Sequence, residues 1–175
     1  MSRTLHSIFL SSLICLFFAG GTALSAQAPS FRAETLRGES LELRNLIKPK
    51  RGVLVAFWAS WCTPCIEELK HVQEHLRKHP EFPMEVVTVN VDTSETSTDV
   101  IPTLRMYGFE FPVVLDPKHE IFNRYHTSKT LPFSVLVGPS GEIEKTFNGF
   151  QNHMFRDIDE ALKISTQSGE PNASS

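Results

Sequence analysis

Cys62 and Cys65, two residues apart, are the side chains of this sequence best suited to chemistry. They lie in the stretch FWASWCTPCIEELKHV, residues 57–72, directly after an apolar run. Such a pair can be a redox centre, a metal clip or a structural disulfide. The apolar run predicts a buried strand and the residues after Cys62 predict a helix, so Cys62 falls at a helix N-terminus. The free N–H groups there stabilise a thiolate, the form that attacks disulfides.

Cys65 is expected one turn inside the helix, on the same side as Cys62 and less exposed to solvent. A nucleophile and a sheltered partner meet the needs of thiol–disulfide exchange, because the first forms a mixed disulfide and the second resolves it. A purely structural bridge is disfavoured, because the loop that it closes is too short to restrict the unfolded chain much.

The beginning of the chain predicts export. Arg3 and His6 precede the apolar run 8–19, and Ala26-Gln27-Ala28 fits a cleavage site, so residues 1–28 are predicted to be a signal peptide. A cut a few residues earlier and an uncleaved membrane anchor are the alternatives. Removal of this segment also removes Cys15 and leaves two cysteines. A net charge of -3 without a basic cluster argues against a nucleic-acid partner.

Residues 29–165 are predicted to form one α/β domain, and residues 166–175 a flexible polar tail. Strands are expected near 53–59, 84–92, 111–115, 131–137 and 142–147, and helices near 62–78, 100–107, 118–125 and 153–164, after a hairpin at 31–43. Alternating strands and helices in the first half imply a right-handed βαβ unit. The tight turn between the last two strands implies an antiparallel edge.

The motif and its surroundings resemble the thioredoxin superfamily, and within it the exported TlpA/ResA-like group, which includes the cytochrome c maturation thioredoxins. The resemblance depends on WCTPC at 61–65, VNVD at 89–92, FPVVLD at 111–116 and LP at 131–132. It implies a thioredoxin-like fold: a central mixed sheet flanked by helices, with an N-terminal β-hairpin extension and a central βα insert.

The resemblance also assigns roles to residues around the cysteines. Pro132 matches the family's cis-proline, which faces the cysteine pair and leaves a strand edge open for a substrate; an ordinary trans proline at a strand start is the alternative. Substrate contacts are expected from Trp61, Thr63, Pro64 and Leu131 as well.

Glu68 matches an acidic residue that the group carries near its resolving cysteine, here Cys65. A sheltered carboxyl group has a raised pKa and can carry the proton that Cys65 loses or regains. The alternative is a solvated Glu68, like its neighbour Glu67. Ala56 replaces the buried acid of cytoplasmic thioredoxins, which leaves proton handling to Glu68.

Metal binding has some support in the sequence. His71, His75 and His79 share one helix face at four-residue spacing, but we expect that face to be solvated and predict no metal site. A copper carrier using both cysteines is a second alternative, although no third cysteine remains after export. A peroxide-reducing enzyme on the same fold is rejected, because Ala59 stands where its Thr would be.

The sequence therefore predicts an exported, periplasmic thiol–disulfide oxidoreductase with no cofactor beyond the Cys62–Cys65 pair. Its partners would be disulfide-containing proteins, such as apocytochrome c or metal-site assembly proteins. The resemblance implies a membrane thiol carrier that re-reduces it. A disulfide oxidant remains the alternative for the direction of electron flow.

Overall fold

A five-stranded mixed sheet forms the centre of the computed structural model, which describes residues 26–49 and 51–168. Strand β3 (Gly52–Trp58) pairs in parallel with β4 (Met84–Asn90) and antiparallel with β6 (Phe133–Val137). Strand β5 (Val113–Leu115) extends the sheet beyond β4, and β7 (Ile143–Asn148) extends it beyond β6. The predicted mixed sheet with its antiparallel edge is confirmed.

In the described part of the chain, a two-stranded hairpin and five α-helices surround this sheet. The hairpin comprises β1 (Arg32–Glu34) and β2 (Ser40–Glu42), and helix α1 (Leu43–Leu46) follows it. The other helices are α2 (Thr63–Lys78), α3 (Val100–Tyr107) after a 3-10 turn at Ser97–Asp99, α4 (Phe122–Tyr125) and α5 (Met154–Ser168). The hairpin extension and the insert between β4 and β6 are therefore confirmed. Helix α1 was not predicted, because one helical turn is too short to show a periodicity.

The core lies on both faces of the sheet, because all seven residues of β3 are buried and alternate between the faces. On one face, Phe57 packs against Phe122 and Tyr125 of α4. On the other face, a second apolar cluster joins Leu54 to Val72 of α2 and to the inner side of α5. Helices α2 and α5 thus cover the face opposite to α4.

Gly52 allows α5 to approach β3 closely. A Cβ atom at this position would lie 2.7 Å from Cδ2 of Leu162 and 3.0 Å from Cδ1 of Leu136. Both neighbours are buried, so neither can move without disturbing the core. The glycine at the start of β3 therefore fixes the distance between α5 and the sheet.

Residues 26–30 are held by two parts of the fold. The N–H of Ile143 donates to the carbonyl oxygen of Ala26 over 2.8 Å, and the N–H of Ala28 donates to Gly141 over 2.9 Å. The hydroxyl of Tyr125 donates to the carbonyl of Pro29. A cut after Ala28, the main prediction for the signal peptide, would remove the pairing at Ala26 and Ala28.

The predicted signal peptide and the predicted C-terminal tail lie mostly outside the part of the chain that the structure describes. Residues 1–25 of the predicted signal peptide and residues 169–175 of the predicted tail lie outside the described part of the chain. Helix α5 continues to Ser168, so the first three residues of the predicted tail are helical. In the described part of the chain, no helix is both long and apolar enough to cross a membrane.

Candidate active site

Cys62 and Cys65 form a disulfide at the start of α2. Cys62 is the N-cap residue, and its carbonyl oxygen accepts the N–H groups of Cys65 and Ile66 over 3.0 and 3.2 Å. Cys62 is 5% exposed and Cys65 is 1% exposed. The predicted order of exposure therefore holds, although both residues are buried in the disulfide form. Cys62 therefore lies at the positive end of the dipole of the 16-residue helix α2.

The loop that carries Cys62 is fixed by the buried carboxylate of Asp92. Its two oxygens accept the backbone N–H and the hydroxyl of Ser60, each over 2.7 Å. The side-chain amide of Asn90 donates to the same carboxylate over 2.7 Å. Ser60 lies two residues before Cys62, so Asp92 ties the end of β4 to the active-site loop.

Glu68 lies one helical turn after Cys65 and is 2% exposed. One carboxyl oxygen accepts the hydroxyl of Ser134 over 2.5 Å. Ser134 pairs with Ala56 across β6 and β3, so the side chains of both project from the sheet toward Glu68. A small residue at position 56 thus lies beside the carboxyl group at this level of the sheet.

Burial raises the pKa of Glu68 to about 7, and the hydrogen bond from Ser134 opposes this rise. The second carboxyl oxygen, Oε2, is buried and receives no hydrogen bond from any described residue. An ordinary exposed glutamate is ionised at neutral pH, whereas Glu68 is close to half protonated. The expectation that Glu68 is sheltered and has a raised pKa is confirmed, while its catalytic role stays a prediction.

The peptide bond between Leu131 and Pro132 is cis, as predicted. Pro132 is buried and precedes β6, and its carbonyl oxygen accepts the N–H of Gly149 over 2.8 Å. The ring of Phe133 stacks on that of His126, with centroids 3.9 Å apart. The substrate-binding role of Leu131 and Pro132 stays a prediction.

Trp61, Thr63 and Pro64 form the exposed surface next to the disulfide. The side chain of Trp61, just before α2, is 64% exposed, and Thr63 and Pro64 are both exposed in the first turn of α2. These three residues can therefore meet a molecule that approaches the buried sulfur atoms. Their contacts with substrate stay a prediction.

A comparison with models of protein families identifies the family of this chain. Residues 24–146 match the model of the AhpC/TSA family. The chain belongs to this family.

Relatives within the group have named activities. The chain is 34% identical over 152 residues to the sporulation thiol-disulfide oxidoreductase A of Bacillus subtilis, covering 83% of this chain and 90% of that protein. It is 32% identical over 155 residues to the thiol-disulfide oxidoreductase ResA of the same organism, covering 87% and 84%. The crystal structure of StoA from Bacillus subtilis superposes with a TM-score of 0.62 at 34% identity, covering 78% of this chain and 98% of that one.

These relatives and the Cys62–Cys65 pair make the protein a thiol–disulfide oxidoreductase of the ResA/StoA type with a thioredoxin-like fold. The resemblance drawn from the sequence to the TlpA/ResA-like group is confirmed.

The histidine row of this oxidoreductase is not the solvated face that the sequence suggests. His75 stacks on Phe155 of α5, with ring centroids 3.7 Å apart, and His71 contacts both Phe155 and Phe150. The prediction is wrong for these two histidines because α5 packs over that side of α2, which the sequence of α2 alone does not reveal. His79, at the end of the row, is exposed. The described residues contain no cluster of three or more His, Cys, Asp or Glu that could hold a metal ion.

Ser134 and Asp92 are the contributors that sequence reasoning missed. Ser134 is the one polar residue after the proline in the run LPFSVLV, and Asp92 ends the apolar run MEVVTVNVD. A polar side chain in a buried strand needs a partner, so both carried a signal. The sequence did not indicate which groups those partners would be.

Proposed function

We propose that this oxidoreductase reduces disulfide bonds of exported proteins in the periplasm and that Glu68 handles the proton of Cys65. The observation that carries the proposal is the buried carboxyl group of Glu68, with a pKa of about 7, one helical turn from Cys65. A group that is half protonated at neutral pH can both accept and return a proton.

The first step is attack by the Cys62 thiolate on one sulfur of the substrate disulfide. A bond forms between Cys62 and that sulfur, the substrate S–S bond breaks, and the other substrate sulfur leaves as a thiolate. The helix N-terminus at Cys62 favours the negative charge of the attacking sulfur.

The second step releases the substrate. Cys65 gives its proton to the Glu68 carboxylate, and the resulting thiolate attacks the Cys62 sulfur. The mixed disulfide breaks, the substrate sulfur leaves as a thiolate and the Cys62–Cys65 disulfide forms. Two electrons have then passed from the protein to the substrate, and the product is the disulfide state described above.

Continued turnover needs an external dithiol that reduces the Cys62–Cys65 bond again. A membrane thiol carrier fills this role in the proposal, because the periplasm itself favours oxidation. Disulfide-containing substrates, such as apocytochrome c or metal-site assembly proteins, would present their bond along the edge beside Leu131 and Pro132. No further cofactor is required.

A trapping experiment tests the proposal. A Cys65→Ser variant, reduced and mixed with a disulfide-bonded protein, should accumulate a mixed disulfide at Cys62, which mass spectrometry can locate. A Cys62→Ser variant should accumulate none and should leave the substrate oxidised. An adduct on Cys65 in place of Cys62, or full reduction of the substrate by either variant, would contradict the assignment of roles.

A further inference from the structure

A groove opens beside the active-site loop, between Trp61 and helix α3. It has a volume of about 330 Å³, and its α3 side is formed by Asp99, Pro102, Thr103 and Met106. These four residues follow the spacing i, i+3, i+4 and i+7, so they form one stripe along the helix and the turn before it. The volume is at the lower end of the range for small-molecule pockets, roughly 300–1,000 Å³.

Exposed apolar side chains line this groove on both sides. Trp61 and Met106 belong to the six large apolar side chains that are exposed in the described part of the chain, and they face the groove from the active-site loop and from α3. Met106 is 75% exposed, and Trp61 on the other side of the groove is 64% exposed. Exposed apolar side chains that gather at one place indicate a binding surface, and methionine adapts its shape to varied ligands.

The charge of the groove is also defined. Asp99 is the one charged residue that lines it, and the remaining polar groups come from Ser60, Thr96 and Thr103. Asp99 and Met106 are seven residues apart, which corresponds to about 10 Å along the helix axis. The groove therefore offers an apolar end and an anionic end, separated by a distance that about three residues of extended chain can span.

We propose that this groove binds the substrate polypeptide next to its reactive cysteine, with a bulky apolar side chain against Met106 and Trp61 and a Lys or Arg side chain at Asp99. The inference rests on the proposed function. Trp61 directly precedes Cys62, so residues that flank a sulfur bonded to Cys62 come within reach of the groove. Small disulfides without flanking residues cannot use it.

Two synthetic peptides provide the test. Each peptide carries one cysteine as a mixed disulfide with glutathione. In the first peptide, a Leu and a Lys stand on each side of the cysteine. In the second peptide, a Ser and a Glu take those places. The reduced wild-type protein should react with the first peptide about tenfold faster. Met106→Gln should lower this ratio to about threefold or less, and Met106→Leu should retain it within about twofold.

Two further variants separate the contributions. Asp99→Asn should remove the preference for Lys and keep the preference for Leu, which peptides that differ at one position only will resolve. Leu36→Gln is the matched control, because Leu36 is an exposed apolar residue of the hairpin region and its loss should leave the ratio unchanged.

The outcomes distinguish the two proposals. The wild-type protein and Met106→Gln could both reduce the peptides and discriminate equally between the two. This result would overturn the proposal that the groove binds substrate and would leave the proposed function intact. A wild-type protein that reduces neither peptide nor glutathione disulfide would overturn both.

Discussion

Glu68 holds its carboxyl group between α2 and β6, where one oxygen is bonded to Ser134 and the other has no hydrogen-bond partner among the described residues. An unpaired oxygen of a buried carboxylate is costly, and protonation relieves that cost. Position 56 is an alanine and supplies no acid, so the proposed mechanism assigns the exchange of a proton with Cys65 to this carboxyl group. The proposed chemistry at the residue scale depends on this group.

Replacement of Glu68 by Gln should slow resolution of the mixed disulfide at pH 7 by about tenfold or more, because Gln cannot accept a proton. The rate of resolution in the wild type should change with pH around 7, and this dependence should disappear in the variant. Stopped-flow measurement of product release checks both. Glu67→Gln is the control, because Glu67 is an exposed neighbour paired with Lys70. Unchanged rate and pH profile in Glu68→Gln would exclude the proton role.

Ser134→Ala should move the pH dependence to higher pH. The hydrogen bond from Ser134 lowers the pKa of Glu68, so its loss raises that pKa further above the ordinary value. The same stopped-flow profile measures the shift, and direct titration of the Glu68 carboxyl by NMR gives it independently. A shift to lower pH, or none, would show that this hydrogen bond does not control the carboxyl group.

Ionisation of the buried Glu68 should lower the free energy of unfolding as the pH rises. Its pKa of about 7 in the folded state lies above the ordinary value of 4.5, so the folded chain binds more protons between these values. The stabilisation is fully present below pH 4.5 and is lost as the pH rises through 7. From pH 4 to pH 8, Glu68→Gln should therefore gain up to about 3 kcal/mol of unfolding free energy relative to the wild type. Denaturant titrations that give a constant difference would contradict this.

Helices α2 and α5 are joined by aromatic contacts centred on His75. Its ring stacks on Phe155, its Nε2 atom is buried without a hydrogen-bond partner in the described part of the chain, and Phe82 closes one side. Burial, and then the nearby His79 and His71, lower the pKa of His75, while Glu81 opposes them. A protonated His75 is therefore unfavourable in the folded state.

Acidification should loosen this contact between helices. Because the folded pKa of His75 is below 6.5, the unfolded chain binds more protons, and stability is lost as the pH falls below 6.5. His75→Phe keeps a stacked ring that cannot be charged, so its unfolding free energy should fall less than that of the wild type between pH 7.5 and pH 5. His153→Gln, at an exposed position near the start of α5, is the control. Parallel pH profiles for the wild type and His75→Phe would contradict the argument.

At the level of elements, the local sequence pattern was enough to predict those helices and strands whose hydrophobic residues recur with a strong periodicity. The boundaries of α2 and the buried strand before it were predicted within about a residue, because Pro64 starts the helix and His79-Pro80 ends it. The surroundings of the histidine row were not predicted correctly, because they depend on α5, which is distant in sequence. Tertiary packing between distant elements leaves no local pattern.

The candidate site likewise combines residues that the local sequence identifies with contacts that depend on distant elements. Cys62, Cys65 and Pro132 could be found from motif and resemblance, and the prediction of a sheltered Glu68 came from the resemblance together with its spacing to Cys65 along one helix. Ser134 could not be assigned as its partner, because the register of β6 against β3 decides which polar group reaches Glu68. The anchoring of the loop by Asp92 similarly depends on a contact across 32 residues.

At the scale of the whole molecule, one question decides the physiological role: whether electrons leave or enter at Cys62–Cys65. The reduction potential of a dithiol measures the free-energy difference between its reduced and disulfide forms in the fold. In the proposed mechanism, Glu68 accepts a proton as the disulfide forms, which favours release of electrons near neutral pH. The Cys62–Cys65 pair should therefore be a reducing dithiol.

The most direct test is equilibration of the Cys62–Cys65 pair with glutathione redox buffers, with the redox state read from thiol alkylation. We expect a potential of about -250 mV or lower, in the range of reducing thioredoxins. A value near about -120 mV, which is typical of a strong periplasmic oxidant, would contradict the proposed direction of electron flow.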